Sequence, residues 1–284
     1  MAQVQVLGIV GAGQMGGGIA QVAAQVGITV RLLDVSEQAA HAGLASIEKQ
    51  LAGRVAKGKL AADERDAMLG RITTTADFGR LGDADFVVEA ATEDDDIKQR
   101  VFESMDRAAP AHAVLATNTS AIPITKLAAH TRRPEQVIGM HFMNPAPVMR
   151  LVEIIRGLQT SDASVQSARD LATRMGKDVI GANDMPGFIV NRMLIPFLNE
   201  ACFALQERLG SPEDIDRGAK LGLNHPMGPL ELADLIGLDT VLYMAEVLHR
   251  EFGDDKYRPP TILRNHVSAG WLGRKTGRGF YKYK

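Results

Sequence analysis

A single cysteine, Cys202, stands among the 284 residues of the chain. One thiol closes no intramolecular disulfide, and no CxxC or clustered Cys/His pattern offers a zinc site, so no metal is expected. Cys202 lies in Asn199-Glu200-Ala201-Cys202-Phe203, a setting that predicts a buried, inert thiol. No run of about 18 uninterrupted apolar residues exists, which excludes a membrane-spanning helix. The opening Met1-Ala2-Gln3-Val4 lacks the basic start of a secretory signal, so a reducing, cytoplasmic setting is expected. Nor is there a surplus of basic charge: 32 Lys and Arg against 34 Asp and Glu leave −2, which points away from nucleic acid. Repeats and low-complexity linkers are missing as well.

What the chain does have is length, glycine and alternating pattern. At a soft ~150 residues per domain, its length makes about two domains, each able to bury a core without staples. The 28 glycines exceed the usual share of about 7%, so some backbone must turn tightly or approach something closely. The first part alternates strand-like and helix-like segments. Val4 to Val10, Thr29 to Leu33, Phe86 to Val88 and Val114 to Ala116 read as strands. So do Val137 to Met140, Leu151 to Ile155 and Asp178 to Gly181. Helical patterns separate most of them, notably Gly16 to Val26, Ser36 to Lys57 and Ile97 to Ala108. This alternation predicts an α/β fold with a doubly wound, mostly parallel sheet over residues 1–185. After Pro186 the strands cease. Phe188 to Arg208, Pro212 to Leu221, Pro229 to Ile236 and Thr240 to Phe252 predict a helical domain over 186–284, with Pro196 kinking or offsetting its first helix.

Gly11-Ala12-Gly13-Gln14-Met15-Gly16 is a G-x-G-x-x-G between the first strand and the first helix. In that context Gly11 allows the tight turn, Gly13 lets backbone approach a pyrophosphate, and Gly16 lets helix pack on strand. The N–H groups of the helix start, including those of Gln14 and Met15, would hold the pyrophosphate. Asp34 ends the second strand, eighteen residues after Gly16. A carboxylate there accepts from ribose hydroxyls and repels a 2′-phosphate, which favours NAD over NADP. A glycine turn followed by a surface aspartate is the competing reading.

Glu153 interrupts the apolar strand Leu151-Val152-Glu153-Ile154-Ile155, so it either faces solvent or is buried with a partner. His141 ends another strand and opens Phe142-Met143-Asn144-Pro145, the edge of an open α/β sheet where active sites form. A histidine oriented by a carboxylate is a sound general base near neutral pH. From these residues alone a structural histidine and a solvated glutamate are the blander alternative, and it stays open.

Across nearly its whole length the chain resembles the L-3-hydroxyacyl-CoA dehydrogenase family, particularly its short-chain 3-hydroxybutyryl-CoA branch. The resemblance rests on Gly11 to Gly16, Asn118-Thr119-Ser120 and His141-Phe142-Met143-Asn144-Pro145-Ala146-Pro147. It extends to Leu151-Val152-Glu153 and Pro186-Gly187-Phe188-Ile189-Val190-Asn191-Arg192. It implies NAD as cofactor, an acyl-CoA thioester as substrate, a homodimer, and interconversion of (S)-3-hydroxybutyryl-CoA and acetoacetyl-CoA by hydride transfer at C3. By position it implies that His141 is the general acid/base and Glu153 its partner. Ser120 and Asn191 match groups near the reacting oxygen. Asn144 matches a residue near nicotinamide and substrate, Glu93 and Lys98 match contacts to the nicotinamide half, and Lys275 matches a cofactor-proximal lysine. Many members carry a second serine after the first, where this chain has Ala121. The family's CoA-contacting basic residues fall near Arg54 and Lys57, which lie on one face if the helix from Ser36 continues. A solvated basic helix end is the alternative there.

Two rival functions are set against this expectation. A dehydrogenase of free β-hydroxy acids would employ a lysine as proton carrier, and the His141/Glu153 pair argues against it. A cofactor-sensing protein without turnover would have no reason to retain that pair.

Overall fold

The computed structural model describes residues 3–283, and the chain divides after Met185 into two compact units. The first unit begins with β1 (Val6–Val10), α1 (Gln14–Gln25), β2 (Thr29–Leu33), α2 (Glu37–Ala56), α3 (Ala62–Leu69) and β3 (Ile72–Thr75). It continues through β4 (Phe86–Glu89), α4 (Asp95–Ala108), β5 (Val114–Thr117), α5 (Ile124–Ala128) and β6 (Val137–Phe142). It closes with β7 (Leu151–Arg156), α6 (Asp162–Arg174) and β8 (Asp178–Asn183). The eight strands form one sheet in the order β3-β2-β1-β4-β5-β6-β7-β8. Every neighbouring pair is parallel except β6 and β7, which run antiparallel. The direction of winding reverses between β1 and β4, and that is where a ligand crevice opens outside the strand ends.

Alternation along the strands assigns the two faces. Ile138, Met140 and Phe142 of β6 join a core that also contains Ile19 of α1, Ile47 of α2 and Leu171 of α6. Val137, Gly139 and His141 therefore point to the opposite face, where a Cβ on Gly139 would meet Ile124 of α5 at 2.8 Å. Several elements start as their sequence dictates. Ser36 caps α2, accepting from Ala39 N at 3.1 Å, and Asp94 caps α4, accepting from Ile97 N at 2.9 Å. The sequence reading lacked β3, whose Ile-Thr-Thr-Thr run carries β-branching but no apolar alternation. It also lacked α6, whose start is marked by Ser161 accepting from Ser164 N.

The second unit contains α7 (Val190–Gln206), α8 (Pro212–Gly222), α9 (Pro229–Ile236), α10 (Leu238–Phe252) and α11 (Thr261–Ser268). The first of these begins two residues later than its apolar pattern indicates. Gly187 (φ 75°) and Phe188 (φ 49°) take the chain through the left-handed region, so no helix can start before Ile189. The helix is continuous through Pro196, which removes one internal hydrogen bond without ending it. Cys202 is fully buried, and burial, followed by the charges of Asp234 and Asp216, pushes its thiol up to about 12. An inert thiol results. Those two aspartates also organise the C-terminal segment: Asp234 accepts from Phe280 N, Tyr281 N and the Tyr283 hydroxyl, and Asp216 from the Tyr281 hydroxyl.

The glycine turn is the tightest point of the first unit. Gly11 has φ 107° and donates to Leu33 O at 2.8 Å, and a Cβ on Gly16 would lie 1.7 Å from Gly11 O. Around Gly13, by contrast, a Cβ would meet nothing within 4 Å. Gly16→Ala should therefore cost at least the ~1–3 kcal/mol of an overpacked site. At about 2–4 °C per kcal/mol, the loss is readable by thermal unfolding. Gly13→Ala should leave the midpoint nearly unchanged, and equal midpoints for the two variants would contradict this packing.

Candidate active site

The C-terminal ends of β1, β2, β4, β5 and β6 lie along one edge of the sheet, and the site is built there. Gly13 caps α1 without a side-chain partner, so the first-turn N–H groups face outward at a position with room beside it. This is a cradle fit for a pyrophosphate. Asp34, half-buried at the end of β2, accepts from Ala12 N and Val35 N, each at 2.7 Å. It thereby braces the glycine turn while its remaining lone pairs can accept ribose hydroxyls. Gln14 donates through Nε2 to Asn144 Oδ1 at 3.1 Å, and Met15 packs against the core.

Glu153 is fully buried in β7, directly opposite His141 in the antiparallel register with β6. His141 Nδ1 lies 2.7 Å from Glu153 Oε2, and His141 Nε2 lies 3.1 Å from Ser120 Oγ. A carboxylate can only accept, so with Glu153 in that form the Nδ1 contact requires a proton on Nδ1, and Nε2 is left facing the serine hydroxyl. The open question about Glu153 is settled: it does not face solvent. Asn118 Oδ1 accepts from Phe142 N at 2.9 Å and fixes the strand just beyond the histidine.

Ser120 is held by a second, partly buried group of charges. Glu93 accepts from Ser120 N and from the Thr119 hydroxyl, each at 2.7 Å. Thr119 Oγ1 in turn accepts from Ala121 N and Ile122 N, closing the turn after β5. Lys98 is 1% exposed; its Nζ donates to Glu89 Oε1 at 2.6 Å and lies 3.8 Å from Glu93. Glu89 also accepts from Ala91 N and the Thr117 hydroxyl, each at 2.7 Å. Sequence reasoning missed Glu89, although its signal matches that of Glu153, a carboxylate attached to the apolar run Phe86-Val87-Val88. The Lys98 ammonium is thus engaged inside this group, between Glu89 and Glu93.

The expected site residues are therefore unequally gathered. Gln14, Asp34, Glu93, Lys98, Ser120, His141, Asn144 and Glu153 share the strand-end edge of the first unit. Arg54 and Lys57 lie apart, at the far end of α2; the helix stops at Ala56, leaving Lys57 as its cap. Asn191 occupies the first turn of α7, and Lys275 donates to Asp239 Oδ2 at 2.6 Å, both within the second unit.

A doubly wound sheet with a glycine cradle at its reversal point, beside a histidine–carboxylate pair, defines a nucleotide-dependent oxidoreductase. Comparison with known proteins makes this definite. Residues 6–185 match the 3-hydroxyacyl-CoA dehydrogenase NAD binding domain, and residues 187–283 match the 3-hydroxyacyl-CoA dehydrogenase C-terminal domain. A probable 3-hydroxybutyryl-CoA dehydrogenase of Bacillus subtilis is 52% identical over 276 residues, covering 97% of this chain and 96% of that protein. A 3-hydroxybutyryl-CoA dehydrogenase of Bradyrhizobium diazoefficiens is 47% identical, covering 100% and 97%. The crystal structure of (S)-3-hydroxybutyryl-CoA dehydrogenase from Ralstonia eutropha is similar with a TM-score of 0.95 and 49% identity, covering 99% and 100%. The chain belongs to the 3-hydroxyacyl-CoA dehydrogenase family, whose cofactor is NAD.

Removing one member of the buried charge group should be costly, because the partner charge is left without compensation. Lys98→Met is expected to lower stability to denaturant by about 3–5 kcal/mol. Adding Glu89→Gln to it should recover most of that loss. Unchanged stability in the single variant, or no recovery in the double, would show that the pair carries no such strain.

Proposed function

We propose that this protein interconverts (S)-3-hydroxybutyryl-CoA and acetoacetyl-CoA with NAD, His141 serving as general acid/base. The observation that carries the proposal is the chain Glu153–His141–Ser120, with distances of 2.7 and 3.1 Å, at the strand-end edge beside the glycine cradle. Oxidation of a secondary alcohol sends the O–H proton to a base and the C–H hydride to an acceptor. NAD supplies the hydride acceptor when bound.

His141 Nε2 takes the hydroxyl proton, and Glu153 both fixes the tautomer that leaves Nε2 open and stabilises the imidazolium that forms. In the reducing direction the same Nε2–H returns the proton to the developing alkoxide. Ser120, at hydrogen-bond distance from Nε2, donates to the same oxygen, and Asn191 is assigned a like role. No covalent step is needed, so neither Ser120 nor Cys202 acts as a nucleophile. Gly11, Gly13, Gln14, Met15 and Gly16 hold the pyrophosphate, Asp34 the ribose, and Glu93, Lys98 and Asn144 the nicotinamide half. Lys275, whose ammonium donates to Asp239, is also assigned to the cofactor. The two buried lysines do not favour a lysine proton carrier, because Lys98 pairs with Glu89 and Lys177 with backbone carbonyls.

The CoA nucleotide carries phosphates that need cationic partners, and Arg54 and Lys57 at the end of α2 are assigned to them. Residues 1–185 are the NAD-binding domain, and 186–284 supply Asn191 and the surface of a homodimer. Met193, Leu209, Leu221 and Leu223 are more than 60% exposed there, which supports self-association. The enzyme is assigned to the cytoplasm, and its net charge of −2 gives nucleic acid no attraction; among the described residues no helix is long and apolar enough to cross a membrane.

The test is acetoacetyl-CoA-dependent oxidation of NADH. His141→Ala should lower kcat by at least the ~10²–10⁴ of general acid–base catalysis. Glu153→Gln should lower it strongly too, and the double variant should lose far less than the product of the two factors. Normal turnover in either single variant would exclude the pair as the catalytic unit.

A further inference from the structure

The segment between β6 and β7 carries Asn144 away from His141, and its backbone forms one isolated helical turn. Val148 N and Met149 N both donate to Pro145 O, at 3.0 Å each. The turn does not continue into a helix, so the carbonyls at its exit have no partner within it. Two of them, Ala146 O and Met149 O, accept from Lys177 Nζ at 2.5 and 2.8 Å. Lys177 is 9% exposed, and Ala146 is 1% exposed. Burial pushes the lysine below its ordinary value. Two carbonyl dipoles converging on the ammonium are what offsets that cost.

The lysine is itself firmly placed. α6 ends in a left-handed Gly176 (φ 72°), with Gly176 N donating to Thr173 O at 2.9 Å and Lys177 N to Ala172 O at 3.0 Å. That reciprocal closure fixes the lysine backbone relative to the helix. Asp178 N then donates to Arg150 O at 2.9 Å as β8 enters the sheet beside β7. On its other side the turn abuts the cofactor helix. A Cβ on Gly18 of α1 would stand 3.0 Å from Pro147 Cδ and 3.2 Å from Ala146 Cβ. Gln14, in the first turn of α1, donates to the Asn144 side chain. The turn is thus clamped between α1 and Lys177, with Asn144 at its entrance.

We propose that Lys177 is a positioning residue for the reaction, its buried ammonium tying off the Pro145–Met149 turn so that Asn144 is held against Gln14 at the start of α1. The proposal rests on the acid–base reading of His141 and on the role assigned to Asn144. The Lys177 ammonium is taken up by the two carbonyls of the turn. Its effect passes through the turn.

Lys177→Met preserves length and removes every donor. At a temperature well below its unfolding midpoint, this variant should lose roughly ten- to a hundredfold in kcat for acetoacetyl-CoA reduction, the cost of a small misplacement at a reacting centre. Lys177→Arg, which retains donors for both carbonyls, should recover most of the loss. Asn144→Ala placed in the Lys177→Met background should add little to the loss that Asn144→Ala causes alone. A residue needed only for folding would lower the midpoint and leave kcat of the folded enzyme intact, and its effect would multiply with that of Asn144→Ala. Either result overturns the proposal, as does an arginine variant no better than methionine. If Lys177→Met does not fold, the same cycle with Lys177→Gln, whose amide can serve one carbonyl, decides in the same way. Full turnover in Glu153→Gln marks failure of the acid–base reading; full turnover in Lys177→Met with an impaired Glu153→Gln marks failure of the clamp alone.

Discussion

The structure depends on one fully buried carboxylate. Glu153 lies inside the sheet with His141 opposite it across the β6/β7 pair, His141 Nδ1 standing 2.7 Å from Glu153 Oε2. An unpaired charge at that position would be expelled or neutralised. The single antiparallel step in an otherwise parallel sheet is what sets the two residues opposite each other. With β7 running back along β6, residues on either side of the Asn144 loop become direct cross-strand partners, with side chains on the same face. The imidazole is thereby held in orientation between Glu153 and Ser120.

The same solution recurs around the site with other residues. Each loop at the strand-end edge is secured by a side chain whose charge or amide is satisfied by backbone. Asp34 takes Ala12 N and Val35 N, Glu93 takes Ser120 N, Asn118 takes Phe142 N, and Lys177 takes two carbonyls of the turn after His141. Charge-assisted bonds of this kind are stronger and more directional than neutral ones. The loops carrying Ser120 and Asn144 are therefore closely held, which is the preorganisation that the proposed hydride and proton transfer would demand.

Much of this was legible in the sequence, because the physics concerned is local. The G-x-G-x-x-G turn, Asp34 at a strand end and the alternation of strands and helices all follow from short-range pattern. The family resemblance added the identity of Ser120 and Asn144, which no spacing rule would single out. What stayed hidden were partners distant in sequence. Glu89 and Lys98 are nine residues apart, yet their pairing required knowledge that both face the interior. Lys177 reaches carbonyls about thirty residues earlier, and a lysine after a helix-ending glycine reads as surface until the fold is known. β3 escaped because Thr73 and Thr74 interrupt any apolar alternation; their strand is recruited by pairing with β2.

The central claim is that Glu153 sets the tautomer of His141 and so leaves Nε2 available for the proton. Nitrogen-15 NMR of the imidazole of His141 in the resting enzyme tests this most directly. The account predicts a protonated Nδ1 and a bare Nε2 in the native protein. In Glu153→Gln it predicts a shift toward the Nε2–H form, because the amide can donate to Nδ1 as a carboxylate cannot. A native enzyme with the proton on Nε2, or a tautomer unaffected by Glu153→Gln, would contradict it.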